Sequence, residues 1–358
     1  CTEFAFGIHT RNAIAGATYR LRLINGLPPQ ATSTNVAVYL QSPTLTMQST
    51  LDLTYSKGAT GATTTRAVDG FGFNGGQYAS LAFGQDGNPV IAHYDATKDF
   101  DVRLAFCSNP SCTATSSIGI DGFNHDVGTY TALVMDRNGN PMVASRDVDN
   151  FDVHLVRCLN TTCTATATVA VDGRYAGGDD FNGGNYTSLA IAADGTPIIA
   201  HQNGDNSDLH IARCANLGCT STSTVAADGF EQNGGFYTSI LAGPDGNPVV
   251  AHYYNGAGWR LDSHLLRCLN TTCTSTTTIA LDGLEYNGGQ YASLAVAPDG
   301  TFVVAHHDAS RQDLRLAFCT VKSGTNGCVA TSSVAVDGAG FDATPQGFNA
   351  GSYASLAF

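Results

Sequence analysis

The feature that most constrains the fold is a unit that recurs along most of the chain. Its first full copy runs from Tyr78 to Gly122 and reads YASLAFGQDGNPVIAHYDATKDFDVRLAFCSNPSCTATSSIGIDG. Further copies begin at tyrosines in the same position, namely Tyr130, Tyr186, Tyr237, Tyr291 and Tyr353. Self-similarity with a period of about 50 residues is typical of propellers and solenoids, which repeat one supersecondary unit.

Each unit carries the pattern of four antiparallel strands. The first, YASLAF, ends at an Asp-Gly pair, which favours the positive φ angles of a tight hairpin. The second, NPVIAHYD, has the consecutive apolar residues of a central strand, and the third, DVRLAFC, alternates like a half-buried one. The fourth, TATSSIGIDG, ends at a second Asp-Gly pair. Units of this length and pattern match the four-stranded blades of a β-propeller.

We therefore predict an all-β fold, a six-bladed β-propeller over residues 49–358 that follows a short N-terminal β segment over residues 1–48. Five units are whole, and residues 49–69 align with the second half of another. YASLAF at the end of the sequence would supply the first strand of that sixth blade, so Tyr353, Leu356 and Phe358 are predicted closure or subunit-joining residues. NVAVYLQ is the candidate strand between the two halves. The rival interpretation is a chain that continues into further repeats.

Ten of the eleven cysteines follow the repeat. The pairs are Cys107 with Cys112, Cys158 with Cys163, Cys214 with Cys219, Cys268 with Cys273, and Cys319 with Cys328. A short loop brings two such cysteines within disulfide range, whereas zinc would need two pairs to converge on one ion. We predict one disulfide per unit and an oxidising compartment, with Cys1 left over.

Net charge and hydropathy limit the kinds of partner and the cellular location that the sequence predicts. The net charge is −13, and the sequence has no basic stripe, which argues against nucleic acid and anionic membrane surfaces as partners. No apolar run approaches the roughly 20 residues of a membrane span. Because the sequence opens at Cys1 within a strand-like run, we expect that a leader was removed. The predicted location is secreted, extracellular or at the cell surface.

A histidine recurs at the end of the second strand, as His93, His201, His252 and His306. Ser145 takes this place in the remaining unit, and Asp95 and Asp308 follow two residues after their histidines. Residues two apart share a strand face, so these pairs could ligate a metal or form a catalytic dyad. A feature present in nearly every unit favours a repeated hydrogen bond between blades. We predict the structural role and keep metal ligation as the weaker hypothesis.

A second recurrent position is basic, with Arg103, His154, His210, His264 and Arg315 on the third strand. An aspartate stands two residues before each, which predicts pairing along one strand face. The later Asp-Gly pairs lead into glycine-rich loops, whose carboxylates could bind calcium. No loop has the D-x-D-x-D-G spacing of a dedicated calcium site. We predict no cofactor, with calcium as a minor hypothesis.

No catalytic constellation stands out from the repeat, so no catalytic residue is predicted. The paired carboxylates of glycosidases and the sialidase box S-x-D-x-G-x-T-W are missing from the sequence. The single tryptophan, Trp259, lies in one insertion, whereas sugar stacking would favour one exposed aromatic residue per blade. Asn160, Asn185 and Asn270 form Asn-x-Thr sequons, which are glycosylation acceptors in a host that modifies asparagine.

The unit resembles a repeat of bacterial extracellular proteins that reads Y-T-S-[IL]-A, D-G-x-P-V-[IV], [SH]-Y-[YD] and L-x-x-A-x-C-x4-C-T. The resemblance covers residues 49–358 and implies a propeller-like fold of unknown ligand. Residues 1–48, with CTEFAF and ATYRLRL, are similar to the last strands of a β-sandwich module that precedes such repeats. That sandwich would be incomplete and would need strands from elsewhere.

These observations predict a non-enzymatic protein with a structural or adhesive role. It would be a subunit of an extracellular filament assembled through β-strand exchange, with copies of itself or another surface protein as partners. The alternative is a glycan-binding, lectin-like propeller, and the third hypothesis is a hydrolase on the same scaffold. A pocket that breaks the repeat near Trp259 or residues 174–184 would discriminate between these functions.

Overall fold

Five antiparallel sheets follow one another along the chain in the computed structural model. The structure describes residues 65–70, 72, 74–97, 100–122, 125–174, 181–228, 233–256, 260–282, 287–321, 327–338 and 350–357. The predicted N-terminal segment, the strand NVAVYLQ, Trp259 and Phe358 lie outside them. No helix in these ranges is long and apolar enough to cross a membrane.

The sheets are numbered in chain order. Sheet 1 contains β1 (Gly75–Phe83), β2 (Pro89–Asp95), β3 (Val102–Cys107) and β4 (Thr115–Asp121). Sheet 2 contains β5 (Val127–Met135), β6 (Pro141–Asp147), β7 (Asp152–Cys158) and β8 (Thr166–Gly173). Sheet 3 contains β9 (Asn185–Ile191), β10 (Pro197–Gln202), β11 (Leu209–Cys214) and β12 (Thr222–Asp228). Sheet 4 contains β13 (Phe236–Ala242), β14 (Pro248–Gly256), β15 (Arg260–Cys268) and β16 (Thr276–Asp282). Sheet 5 contains β17 (Gly288–Val296), β18 (Phe302–Asp308), β19 (Asp313–Val321) and β20 (Cys328–Gly338).

Local sequence explains the order of strands within each sheet, which is the order along the chain. At the first hairpin Gly87 has a φ of 77°, and the Asp86 carboxylate accepts the Asn88 N–H at 3.0 Å. Pro89 then opens β2, where a missing N–H is tolerated. The prediction of four-stranded antiparallel units in an all-β fold is confirmed.

The first strands of successive sheets contact one another, and a row of tyrosines runs across them. Tyr78, Tyr130, Tyr186, Tyr237, Tyr291 and Tyr353 have successive ring centroids 5.0, 4.9, 4.7, 4.5 and 4.4 Å apart. All six have φ between 51° and 57°, a conformation that bulky residues rarely adopt. The shared conformation shows that the repeat imposes one backbone path at each tyrosine, and the row shows that the first strands of successive sheets lie side by side.

The core lies between neighbouring sheets. Val90 and Leu104 of sheet 1 pack with Leu133 and Val156 of sheet 2, and corresponding clusters follow down the chain. The five predicted disulfides are present, with Cα atoms 4.7 to 5.2 Å apart. In sheets 2 to 4 the disulfide is buried within the cluster that faces the preceding sheet.

The number of sheets differs from the six blades predicted, because the described residues form five. At one flank the Thr115 hydroxyl donates to the Val68 carbonyl at 2.8 Å, as Thr222 does to Val171 at 3.1 Å. At the other flank the Leu356 N–H donates to Ser293 Oγ at 3.0 Å, as Leu133 does to Ser80 at 3.0 Å. Residues 66–70 and 353–357 thus take fourth-strand and first-strand places beside sheets 1 and 5. The sixth blade and its closure remain predictions.

Candidate functional site

Each recurrent second-strand histidine faces an aspartate from the end of the preceding unit, and in sheets 1, 3 and 4 it is hydrogen-bonded to that aspartate. The Nε2–Oδ2 distances are 3.1 Å for His93 with Asp69, 2.9 Å for His201 with Asp172, 3.1 Å for His252 with Asp228 and 3.3 Å for His306 with Asp282. We call each such pair a clamp, because it joins one sheet to the unit before it. All four histidines are buried.

A backbone N–H fixes the tautomer of each clamp histidine. Nδ1 accepts from Gly76 at 3.1 Å in sheet 1, Gly184 at 3.2 Å in sheet 3, Gly235 at 3.1 Å in sheet 4 and Gly289 at 2.9 Å in sheet 5. Because an N–H only donates, Nδ1 carries no proton, and the neutral ring keeps its proton on Nε2. In sheets 1, 3 and 4 that proton is donated to the clamp aspartate, whereas His306 Nε2 lies near Asp282 without forming a hydrogen bond.

The basic third-strand residue is a second donor to the same carboxylate. The distances are 3.3 Å for Arg103 Nε to Asp69, 2.9 Å for His154 Nδ1 to Asp121, 3.4 Å for His210 Nδ1 to Asp172, 3.3 Å for His264 Nδ1 to Asp228 and 2.9 Å for Arg315 Nε to Asp282. Burial opposes ionisation of Asp172 and Asp228, but the hydrogen bonds from their two histidines outweigh it and hold the pKa of both carboxyls well below the usual range. The aspartates considered for calcium are therefore already engaged by protein donors.

Two clamps contain a donor set that suits zinc. The ligand atoms of Asp172, His201 and His210 lie within 4.8 Å of one another, as do those of Asp228, His252 and His264. A metal on Nε2 of His201 or His252 would require loss of the Nε2 proton while Nδ1 accepts a backbone N–H, which would leave an imidazolate. The donor set alone fits a metal, but the hydrogen bonding favours the clamp.

The aspartates of the predicted His-x-Asp pairs bond to the turn that follows. Asp95 Oδ1 accepts the Thr97 N–H at 3.1 Å, and Asp308 Oδ1 accepts the Ser310 N–H at 3.0 Å. Sequence reasoning placed each histidine with the aspartate of its own strand, whereas the structure gives it a partner one unit earlier. The recurrence of Asp-Gly at the end of every unit was the available signal.

Sheet 2 departs from the other clamps because Ser145 replaces the histidine. His154 Nδ1 lies 2.9 Å from Asp121, and its Nε2 lies 3.4 Å from Asp147. Burial disfavours the imidazolium, but the hydrogen bond that His154 donates to Asp121 and the charges of the surrounding carboxylates outweigh burial and raise the pKa of His154. Both ring nitrogens face carboxylates, so His154 is not placed as a base for Ser145.

A cleft of about 410 Å³ opens on sheet 3 and breaks the repeat. Its walls are formed by Asp172, Phe181, Asn203, Asn206, Asp208, His210, Thr222, Thr224 and Ala226. Phe181 belongs to the insertion 174–184, where the sequence suggested a departure from the repeat, and its ring meets the His210 ring edge-on at 4.8 Å. Sequence reasoning did not single out Phe181 or Asn203.

Sheet 4 differs from sheet 3 at the position of Asn203. Tyr254, at the position of Asn203, stacks on the His264 ring with centroids 4.5 Å apart and an interplanar angle of 10°. In sheet 3 the shorter asparagine leaves the corresponding side of His210 open to the cleft.

The predicted glycosylation residues occupy two kinds of site. Asn160 and Asn270 span disulfide loops, where the side-chain N–H2 of each donates to Thr164 and Thr274, respectively, at 2.9 Å. Asn185 is half-buried at the start of β9. Glycosylation of these residues remains a prediction.

The outer face of sheet 1 is an exposed apolar patch formed by Tyr78, Leu81 and Phe83. Leu81 is 58% exposed and Phe83 is 61% exposed. The residues that correspond to Leu81 in sheets 2 to 5, Leu133, Leu189, Ile240 and Leu294, are 6 to 8% exposed. Each later sheet buries this residue against the sheet before it, whereas in sheet 1 it remains open.

No protein-family model and no curated protein matches the chain. Among solved structures, it is similar to a protein of unknown function from Dyadobacter fermentans, at 12% identity over 74% of this chain and 83% of that chain, with a TM-score of 0.53. AofleA from Arthrobotrys oligospora aligns at 12% identity over 72% and 71% of the two chains, with a TM-score of 0.45. An α-L-arabinofuranosidase from Lactobacillus brevis aligns at 11% identity over 72% and 90%, with a TM-score of 0.41. At these identities the first likeness concerns the fold alone, and the other two carry no argument.

Proposed function

We propose that the protein is a non-enzymatic, secreted or surface-displayed scaffold with a structural or adhesive role, which assembles head to tail. The observation that carries this proposal is the exposed patch of Tyr78, Leu81 and Phe83 on sheet 1. Contiguous apolar surface on an otherwise well-packed protein commonly marks an interface.

The two flanks suggest a second copy as the occupant of this patch. Residues 66–70 lie beside sheet 1 as the end of a fourth strand does, and residues 353–357 lie beside sheet 5 as a first strand does. When sheet 5 of one copy meets sheet 1 of the next, these complementary parts of one unit come together. A heterologous contact of this kind builds an open filament when its rotation does not close into a ring, and the filament is the assembly we propose.

The polar residues support a scaffold rather than a catalyst. The recurrent histidines, arginines and aspartates bond to one another between units, which suits stabilisation of the stack. The five disulfides support an oxidising environment such as the cell exterior.

Mass photometry and negative-stain electron microscopy test the assembly. The wild-type chain is expected to form linear oligomers whose length grows with concentration, and a Leu81→Asp/Phe83→Asp variant is expected to stay monomeric. Leu159→Asp is the matched control, because Leu159 is also exposed, at 47%, but lies in the disulfide loop of sheet 2. The control should assemble normally.

Two results would contradict this proposal. One is a wild-type chain that stays monomeric at every concentration. The other is a Leu81→Asp/Phe83→Asp monomer that unfolds as readily as a core variant, since that would show that the patch is covered within one chain.

A further inference from the structure

Several polar side chains of sheet 3 line its cleft. His210 Nδ1 is engaged by Asp172, and Asn203 Oδ1 accepts the Asp205 N–H at 2.9 Å. The His210 Nε2, the Asn203 side-chain N–H2 and the Thr224 hydroxyl have no hydrogen-bond partner within the described ranges, and all three residues line the cleft. Polar groups that converge on one cleft can orient a ligand that bonds to them.

In sheets 2 and 4 the residue at the position of Asn203 contacts the third-strand histidine. In sheet 2, His154 Nε2 lies 3.4 Å from Asp147, and in sheet 4, Tyr254 stacks over His264, whose Nε2 lies 4.0 Å from Asp262. In sheet 1, the Arg103 guanidinium also donates to Ser117 at 3.2 Å. At this position Asp147 lies beside the Nε2 of His154 and Tyr254 stacks on His264, whereas sheet 3 carries Asn203 beside the cleft.

We propose that the sheet 3 cleft binds a neutral, polyhydroxylated ligand of the carbohydrate class, with His210, Asn203 and Thr224 as hydrogen-bonding residues. The volume of about 410 Å³ lies in the range of small-molecule sites. Sugar hydroxyls both donate and accept, which matches a mixed lining of imidazole, amide and hydroxyl groups. Phe181, which is buried against His201 and His210, supplies an apolar part of the lining beside these polar groups.

The charges in the cleft select against acidic ligands. Asp172 and Asp208 both line it, and Asp172 is held in its ionised form by His201 and His210. A ligand carboxylate or phosphate would meet these negative charges at short range, whereas a neutral sugar would not.

The site is distinct from the assembly surface of the proposed function. The cleft lies on sheet 3, while the apolar patch lies on sheet 1. Loss of sugar binding and loss of assembly are therefore separable, and either can occur without the other.

Saturation-transfer NMR with the methyl glycosides of galactose, glucose and mannose tests the proposal on the full chain. We expect the wild type to bind at least one of them. Asn203→Tyr introduces the residue that sheet 4 carries at this position, so the fold has a precedent for it, and it should abolish the signal. Thr224→Val should weaken binding about tenfold, because it leaves a sugar hydroxyl without its partner.

Thr278→Val is the matched control, because Thr278 takes the corresponding place in sheet 4, opposite Leu266 as Thr224 is opposite Ala212. Binding by this variant should equal that of the wild type. Failure of the wild type to bind any neutral glycoside would overturn the proposal, and so would undiminished binding by Asn203→Tyr. Preferential binding of sialyllactose, or of Zn²⁺ alone in a calorimetric titration, would overturn the assigned ligand class.

Discussion

Sheets 1 and 2 are built from nearly the same unit but present their first strands to different surroundings. Leu133 of sheet 2 is 6% exposed because sheet 1 covers it, whereas Leu81 of sheet 1 is 58% exposed. Both sheets have the same strand order, and in the first hairpin of each an aspartate carboxylate accepts a backbone N–H, that of Asn88 in sheet 1 and that of Asn140 in sheet 2. The repeat therefore specifies the sheet, while the neighbour determines how much apolar surface the sheet buries.

The clamps show the same dependence on a neighbouring unit, here for hydrogen bonds between polar side chains. Sheet 1 meets its neighbour through Asp69, His93 and Arg103, which join residues from two units. A unit completes its own hydrogen bonding only when the preceding unit supplies an aspartate. A sheet at the end of the stack, with a neighbour on one side only, is therefore the part of this fold that contact with a partner would stabilise most.

The largest expected difference between the two sheets concerns their leucines. Leu133→Ala should lower the free energy of unfolding by about 2 to 5 kcal/mol, because it removes buried methyl groups and leaves a cavity. Leu81→Ala should change it by less than about 0.5 kcal/mol in the monomer, as at other exposed sites. Urea denaturation at low protein concentration measures both values, and equal losses would remove the distinction between the two faces.

A smaller difference is expected between the disulfides of sheets 1 and 2, which close loops of the same length. Replacing either Cys107–Cys112 or Cys158–Cys163 by paired alanines should cost about 2 kcal/mol through the entropy of the unfolded chain. Cys158 and Cys163 are also buried against sheet 1, so their removal should cost more than that of the sheet 1 pair. Thermal unfolding of the two double variants compares them, and an equal loss would show that the neighbouring sheet adds nothing.

The smallest expected effect is a difference in how stability depends on pH, because sheet 2 has His154 where sheet 1 has Arg103. The pKa of His154 is raised in the folded chain, where Asp121 and Asp147 flank it, so its contribution should be full below the ordinary pKa of about 6.5 and decline as pH rises through the folded value. His154→Arg, which copies Arg103 of sheet 1, should remove this decline. Denaturation curves across neutral pH measure the difference, and parallel pH profiles would contradict the assignment.

Local pattern was enough to predict the strands, the disulfides and the recurrent histidines. Asp-Gly after YASLAF favours a tight turn, and the short loop between Cys107 and Cys112 permits a disulfide. Both features can therefore be predicted from a few neighbouring residues. The clamp partner of His93 could not be predicted in this way. Asp69 belongs to another unit, and the sequence of neither strand indicates the register between the two units.

The sheet 3 cleft shows a second limit. The exchange of Asn203 for Tyr254 is visible on aligning the units, but its consequence depends on the ring of His264 lying beneath that tyrosine. The described residues form five sheets, and the sixth blade remains a prediction for a related reason. The assignment rested on joining distant segments, and no local pattern determines whether such segments meet within one chain or between two.

Hydroxyl-radical footprinting read by mass spectrometry tests the open face most directly, because it reports the exposure of individual side chains without mutation. The account predicts that Leu81 and Phe83 are modified readily in dilute protein and become protected as concentration rises, while Leu159 stays modified and Leu133 stays protected throughout. Protection of Leu81 equal to that of Leu133 at every concentration would contradict it, as would a patch that stays modified in concentrated protein.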